Sequence, residues 1–134
     1  MVEIHSFITL RENFNPCDET DVTAVLPRIQ KELDKLSYYN IKIKVKNGEY
    51  YIEFSHFTNH KGSDFTELFS LFENVGKIAA GSYGLFYMHD DEDETDYNNF
   101  QVWRLAKGEI TKFTDNLLSP FAPTVEDFDK ELNL

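Results

Sequence analysis

Six of the seven residues from Asp90 to Asp96 are acidic: Asp90, Asp91, Glu92, Asp93, Glu94 and Asp96, with Thr95 as the one interruption. Carboxylates spaced this closely can do three kinds of chemistry. They can ligate a hard cation such as Ca²⁺, divide acid and base roles within a pocket, or hold a negative field out to a basic partner. An EF-hand loop needs Gly at its sixth position and Glu at its twelfth. Counted from Asp91, those positions are Asp96 and Val102. Acid–base division needs an environment that separates the two pKa values, which a solvated loop lacks. Mutual repulsion means that folding stability alone does not select such a run. It is read here as a receiver for a basic protein surface. The alternatives are a cation-binding (Ca²⁺) or regulatory interaction module, and a solvated loop that only aids solubility.

Other chemistry finds little footing. Cys17 precedes Asp18 and Glu19, and neighbouring carboxylates disfavour a thiolate. Gly81-Ser82-Tyr83-Gly84 is one residue too short for a nucleophile elbow. His56 and His60 are four apart at the end of a strand, where extended spacing separates them by about 13 Å; a zinc site needs a helix there and further ligands. His5 and His89 add no ligand spacing. The chain is expected to have no catalytic residues, no cofactor and no metal site, and not to be an enzyme.

At 134 residues the chain fits one domain, 1–134, around a single core. Its 41% hydrophobic and 15% aromatic content is that of a globular protein. The net charge of -11 is uneven: residues 90–134 hold twelve acids and four bases, the first 89 residues twelve acids and nine bases. Nucleic acid and anionic membranes both demand a cationic footprint, so neither is expected as a partner. A single cysteine, no signal-like N-terminus and no apolar run of about 18 residues suggest a cytoplasmic protein.

The elements that must position the acidic run follow from periodicity. VEIHSFITL (2–10) favours a strand, and Asn13 to Asp18 with Pro16 reads as a loop. Val22, Val25, Leu26, Ile29, Leu33 and Leu36 fall on one helical face, with Pro27 either in the first turn or at a kink. IKIKVK (41–46) alternates, which predicts Ile41, Ile43 and Val45 inward and Lys42, Lys44 and Lys46 outward. Asn47-Gly48 is a two-residue hairpin turn, and Tyr50, Ile52 and Phe54 continue the inward face. A second helix is predicted from Ser63 or Asp64 to Ile78, with capping-box spacing between Asp64 and Glu67 and a stripe of Phe65, Leu68, Phe69, Phe72 and Val75. Gly81–Met88 and Phe100–Ala106 read as central strands, Lys107-Gly108-Glu109 as a turn, and residues 110–113 as a short further strand. The segment after Leu118 reads as extended, then as a short acidic helix. The fold class is therefore α+β, in the order β-α-β-β-α-β-β: an antiparallel-rich sheet of five or six strands with two helices on one face, its first six elements a split β-α-β sandwich.

Three blocks, GSYGLFYMHDDED (81–93), NNFQVWRLAKGEI (98–110) and LSPFAPTVED (118–127), resemble the immunity protein 7 family of bacterial polymorphic toxin and contact-dependent inhibition systems. The family pattern reads like S-Y-G-L-x-Y-x-x-D-D-E-D, a strand ending in a Lys/Arg-Gly turn, then L-S-P-x-x-P-x-x-E-D. Phe121-Ala122 departs from it where a Cys and an aliphatic residue are typical. The resemblance implies a non-enzymatic α+β protein, made beside a toxin gene, that neutralises a toxin's C-terminal domain, often a nuclease. Its motif positions here are Ser82, Tyr83, Gly84, Asp90, Asp91, Glu92, Asp93, Ser119, Pro120, Pro123, Glu126 and Asp127.

The toxin-binding set expected from both lines is Asp90, Asp91, Glu92, Asp93, Glu94 and Asp96 as receptor for a basic nuclease, with Tyr97 and Trp103 as apolar anchors and Glu126 and Asp127 as a second acidic contact. The aromatics beside the charges fit the composition of protein–protein hot spots, although Trp103, on a central strand, is expected to be largely buried. An exposed edge strand also leaves a homodimer open.

Overall fold

The computed structural model describes residues 1–14 and 21–127. Cys17, most of the predicted Asn13–Asp18 loop and the acidic segment beyond Asp127 lie outside the described residues. The order is β1 (Val2–Leu10), a 3-10 turn (Val22–Ala24), α1 (Leu26–Asp34), a 3-10 turn (Ser37–Tyr39), β2 (Lys44–Lys46), β3 (Glu49–Thr58), α2 (Ser63–Ile78), β4 (Tyr83–Asp90), β5 (Gln101–Ala106) and β6 (Glu109–Thr114). One six-stranded sheet forms in the order β2-β3-β1-β4-β5-β6, and every pairing in it is antiparallel. β3 lies between β1 and β2, and β1 lies between β3 and β4. Both helix-containing crossovers are therefore split β-α-β units, and β5 and β6 extend the β4 edge as successive hairpins.

Pro27 sits in the first turn of α1, where a missing N–H costs nothing; the earlier residues wind as a separate 3-10 turn instead of a kinked helix. Ile29 and Leu33 of α1 meet Leu68, Leu71, Phe72 and Val75 of α2 above Ile4, Ile8 and Leu10 of β1 and Phe86 and Met88 of β4. Because strand residues alternate, that one core consumes Val2, Ile4, Ser6, Ile8 and Leu10 and leaves Glu3, His5, Phe7 and Thr9 on the opposite face. Among the described residues no helix covers that face.

Three local expectations are corrected. Only Lys44–Lys46 of the predicted first hairpin arm pair in the sheet. Ile41 is buried, but Val45 is 60% exposed: it lies on the outermost strand, two residues from the Asn47-Gly48 turn, outside the core cluster. The predicted capping box does not form, since Gly62 is the N-cap and makes no side-chain cap bond. Asp64 instead binds His56 (Oδ2 to Nε2, 2.7 Å), and Glu67 accepts from the Tyr38 hydroxyl. Finally, β4 starts at Tyr83, not Gly81, because Gly81 and Ser82 close the exit from α2 through bonds to Arg11 O and Ala79 O.

Glycine is demanded at one point of β4. A Cβ on Gly84 would lie 2.0 Å from Phe7 O, so the close approach of β4 to β1 excludes any side chain there. At the β5–β6 turn, Lys107 and Gly108 both have positive φ (53° and 73°), as a two-residue hairpin requires.

Candidate partner-binding surface

The acidic segment joins β4 to β5 and is folded back on itself by its own carboxylates. Asp90, buried at the end of β4, accepts from the Glu92 N–H through Oδ1 (3.0 Å). Asp93 Oδ1 accepts from the N–H groups of Thr95 (2.9 Å) and Asp96 (2.7 Å), and its own N–H reaches Asp90 O. These are side-chain turns in which a short carboxylate satisfies backbone donors that no strand can. The backbone donors from Asp96 and Thr95 hold the Asp93 carboxyl below its usual range.

Two acids meet other groups of the same chain. The Met1 amine donates to Asp91 Oδ1 at 2.6 Å, which lowers the carboxyl and raises the amine from their ordinary values. His60 Nδ1 meets Glu92 Oε1 at 2.5 Å across an exposed pair. Glu94 is exposed and Asp96 half-exposed, and neither side chain has a partner among the described residues. The six acids thus divide three ways: Asp90 and Asp93 build the turn, Asp91 and Glu92 meet the Met1 amine and His60, and Glu94 and Asp96 stay open outward.

A second segment is tied to this one. Asn98 Oδ1 accepts from the N–H groups of Phe121 (3.0 Å) and Ala122 (2.8 Å), and Asn98 Nδ2 donates to Ala122 O (2.9 Å). Phe121, the departure from the family pattern, stacks edge-on against Tyr97 (5.8 Å). Ser119 is buried and closes its own loop: its N–H donates to Glu126 Oε1 (2.7 Å) and its Oγ accepts from the Val125 N–H (3.0 Å). The N–H groups of Glu126 itself and Ser119 depress the Glu126 carboxyl. Asp127 is exposed beside it. The clamp by Asn98 brings the two acidic segments of the sequence to one end of the sheet; nothing in the spacing of Asn98 announced that role.

Trp103 faces α2. Its ring lies 5.8 Å from Phe65, 5.2 Å from Phe69 and 6.0 Å from Phe86, with Lys112 Nζ 5.2 Å above it. It is a half-buried part of the aromatic layer beneath the helix, and little of the ring remains for a partner. Tyr97 is 47% exposed at the rim of the acidic turn, where His89 Nε2 fixes its carbonyl (2.8 Å).

The motif residues therefore carry structure to a degree that their sequence pattern hides. Ser82 is fully buried, accepting from Arg11 N–H (3.1 Å); Gly84 permits strand contact; Asp90, Asp93, Ser119 and Glu126 bind backbone. A signature built from these turns specifies one fold, and the family model for immunity protein 7 matches residues 1–127. The chain belongs to the immunity protein 7 family. No curated protein and no solved structure matches it. For an immunity protein the implied partner is a toxin; at this end of the sheet Glu92, Glu94, Tyr97 and Asp127 are exposed and Asp96 partly so.

Sequence reasoning missed one polar cluster. Tyr39 OH is buried without a geometric hydrogen-bond partner, beside the His56–Asp64 pair, in a cavity of about 250 Å³ also lined by Ile41, Phe54 and Leu68. Burial first, then the nearby Asp64 charge, push its phenol up to about 12. No spacing rule links Tyr39 to Asp64; only the 3-10 turn Ser37–Tyr39 brings them together. Among the described residues no three His, Cys, Asp or Glu side chains are placed to hold a metal ion, and no helix is long and apolar enough to cross a membrane.

Proposed function

We propose that this immunity protein neutralises a cationic toxin domain, of the kind that handles nucleic acid, by stoichiometric binding at the acidic end of its sheet. The observation that carries the reading is the division among the acids: Asp90, Asp93 and Glu126 bond inward and lock two turns, and those turns carry Glu94, Asp96 and Asp127 outward, with the exposed Glu92 beside His60. A nuclease must be cationic to hold phosphates. Carboxylates that are already positioned lose little entropy on meeting that surface, and their summed field steers encounter. Asp91, turned to the Met1 amine, contributes to the field more than to direct contact. The protein acts by binding, not by catalysis, within the toxin-producing cell.

Titration calorimetry against the toxin domain encoded immediately upstream, at low and high salt, tests this. Tight one-to-one binding that weakens with salt supports it. Tight binding indifferent to salt retains a toxin inhibitor but removes the acidic interface, and no binding overturns both. The cation-binding alternative is read from a thermal melt with millimolar Ca²⁺: a ligand held only by the folded state raises the midpoint.

A further inference from the structure

The acidic turn is too small to be a whole interface. Residues 91–99 number nine, whereas a stable protein–protein contact uses about 20–30 residues a side. A toxin bound there must lie on a neighbouring surface as well. The helix-free face of the sheet adjoins it directly: His89 and Phe100, which flank the turn, both point to that face. Phe100 stacks on His5 (6.3 Å), Tyr87 (6.0 Å) and His89 (5.8 Å), and His5 on Phe57 (5.7 Å). Around this path Phe7 (42%), Tyr83 (43%), Phe113 (44%) and Phe57 (55%) remain exposed. Rings of this size left open on one face are what interface centres are made of.

The same face holds a cleft of about 360 Å³. Its floor is the cross-strand pair His5–Ser55, with Ser55 Oγ 2.8 Å from His5 Nδ1. Its walls are Phe7, Tyr87 and Glu53. His5 Nε2 donates to Glu3 (2.5 Å) at the end nearer the acidic turn. Among the described residues the cation on Glu53 is Lys44, in a half-exposed pair at 3.0 Å; such pairs hold weakly, so Glu53 can exchange it. Aromatic walls with a carboxylate at the rim suit the stem and charge of a basic side chain.

We propose that the toxin domain docks across the helix-free face, with the acidic turn as its rim, and seats an arginine or lysine side chain in the cleft between Phe7, Tyr87 and Glu53. This rests on the immunity reading above. Charge selects the toxin over a second copy, because two copies would bring two acidic rims to one contact.

The test uses the full chain and two variants that leave the core untouched. Ser55→Arg fills the cleft and puts a positive charge where a positive charge should enter; Phe57→Ala removes an exposed ring. Calorimetry against the upstream-encoded toxin domain should show Ser55→Arg binding about 30-fold more weakly or worse, and Phe57→Ala about 10-fold more weakly. Both should melt within a few degrees of the wild type. Wild-type binding that neither variant alters by more than about twofold overturns this proposal alone and leaves the acidic interface standing. A wild-type chain that does not bind removes the immunity reading and this proposal together. A wild-type dimer in sedimentation, split by Ser55→Arg while toxin affinity stays unchanged, overturns it in favour of a second copy.

Discussion

The two faces of the sheet are built from similar side chains and have different cover. On one, Phe86 is fully buried against Phe54, Phe65, Phe69 and Phe72 under α2. On the other, Phe7, Phe57, Tyr83 and Phe113 keep roughly half of their surface in water. Each strand feeds both faces by simple alternation, so the difference does not come from the strands. It comes from where the two crossover helices pack. Aromatic content on the covered face therefore stabilises the fold, and on the open face it stays in water, where the proposed docking would use it.

The largest expected effect separates the faces. Phe86→Ala should cost about 3–5 kcal/mol in urea denaturation, a large fraction of the stability of a domain this size. Phe57→Ala should cost under about 1 kcal/mol. Equal losses would mean that the open face is covered after all. Gly84→Ala comes next. With its Cβ 2.0 Å from Phe7 O, the methyl must push β4 from β1, which should cost more than about 2 kcal/mol; a wild-type midpoint would refute the close approach.

A parallel contrast runs within the acidic turn. Asp93→Ala leaves the Thr95 and Asp96 N–H groups without their acceptor and should cost about 1 kcal/mol. Glu94→Ala should leave stability within about 0.5 kcal/mol while slowing toxin association. Stability that responds to Glu94 and ignores Asp93 would reverse their roles.

The same division sets the pH dependence. Asp91, Asp93 and Glu126 have folded-state pKa values below their ordinary ones. Their contribution is complete above the ordinary carboxylate range and is lost as pH falls through the lowered values, so the melting midpoint should drop below about pH 4. The drop should be shallower in Asp93→Ala. The Met1 amine is shifted the other way: its contribution is complete below about pH 8 and is lost as pH rises through the raised value. A midpoint flat from pH 7 to 3 would contradict these pairings.

Much of the fold was legible because its signals are local. The period of Val25, Leu26, Ile29 and Leu33, the Asn47-Gly48 turn, the stripe from Phe65 to Val75 and the Lys107-Gly108 turn each act within a few residues. What escaped depends on partners distant in sequence. Asp64 and Glu67 have capping-box spacing, yet His56 and Tyr38 outcompete the backbone for them. Val45 alternates correctly but sits beyond the core. The candidate site was legible as a concentration of acids, not as a division of labour. Only the folded turn shows Asp90, Asp93 and Glu126 bonded to backbone N–H groups, Trp103 turned under α2, and Asn98 clamping residues 121–122 beside the turn. The rings of the open face carry no sequence mark, since β1 alternates apolar and mixed residues whichever face the helices take.

The most direct measurement is the association rate with the upstream-encoded toxin domain across a range of salt concentrations, for the wild type and for a Glu92→Gln, Glu94→Gln, Asp127→Asn variant. The outward acids predict a wild-type rate that falls steeply with salt and a variant that is slower and nearly flat, near the unsteered range of about 10⁵–10⁶ M⁻¹s⁻¹, with unchanged melting. Superimposable wild-type and variant curves would contradict the claim that these acids recruit the toxin.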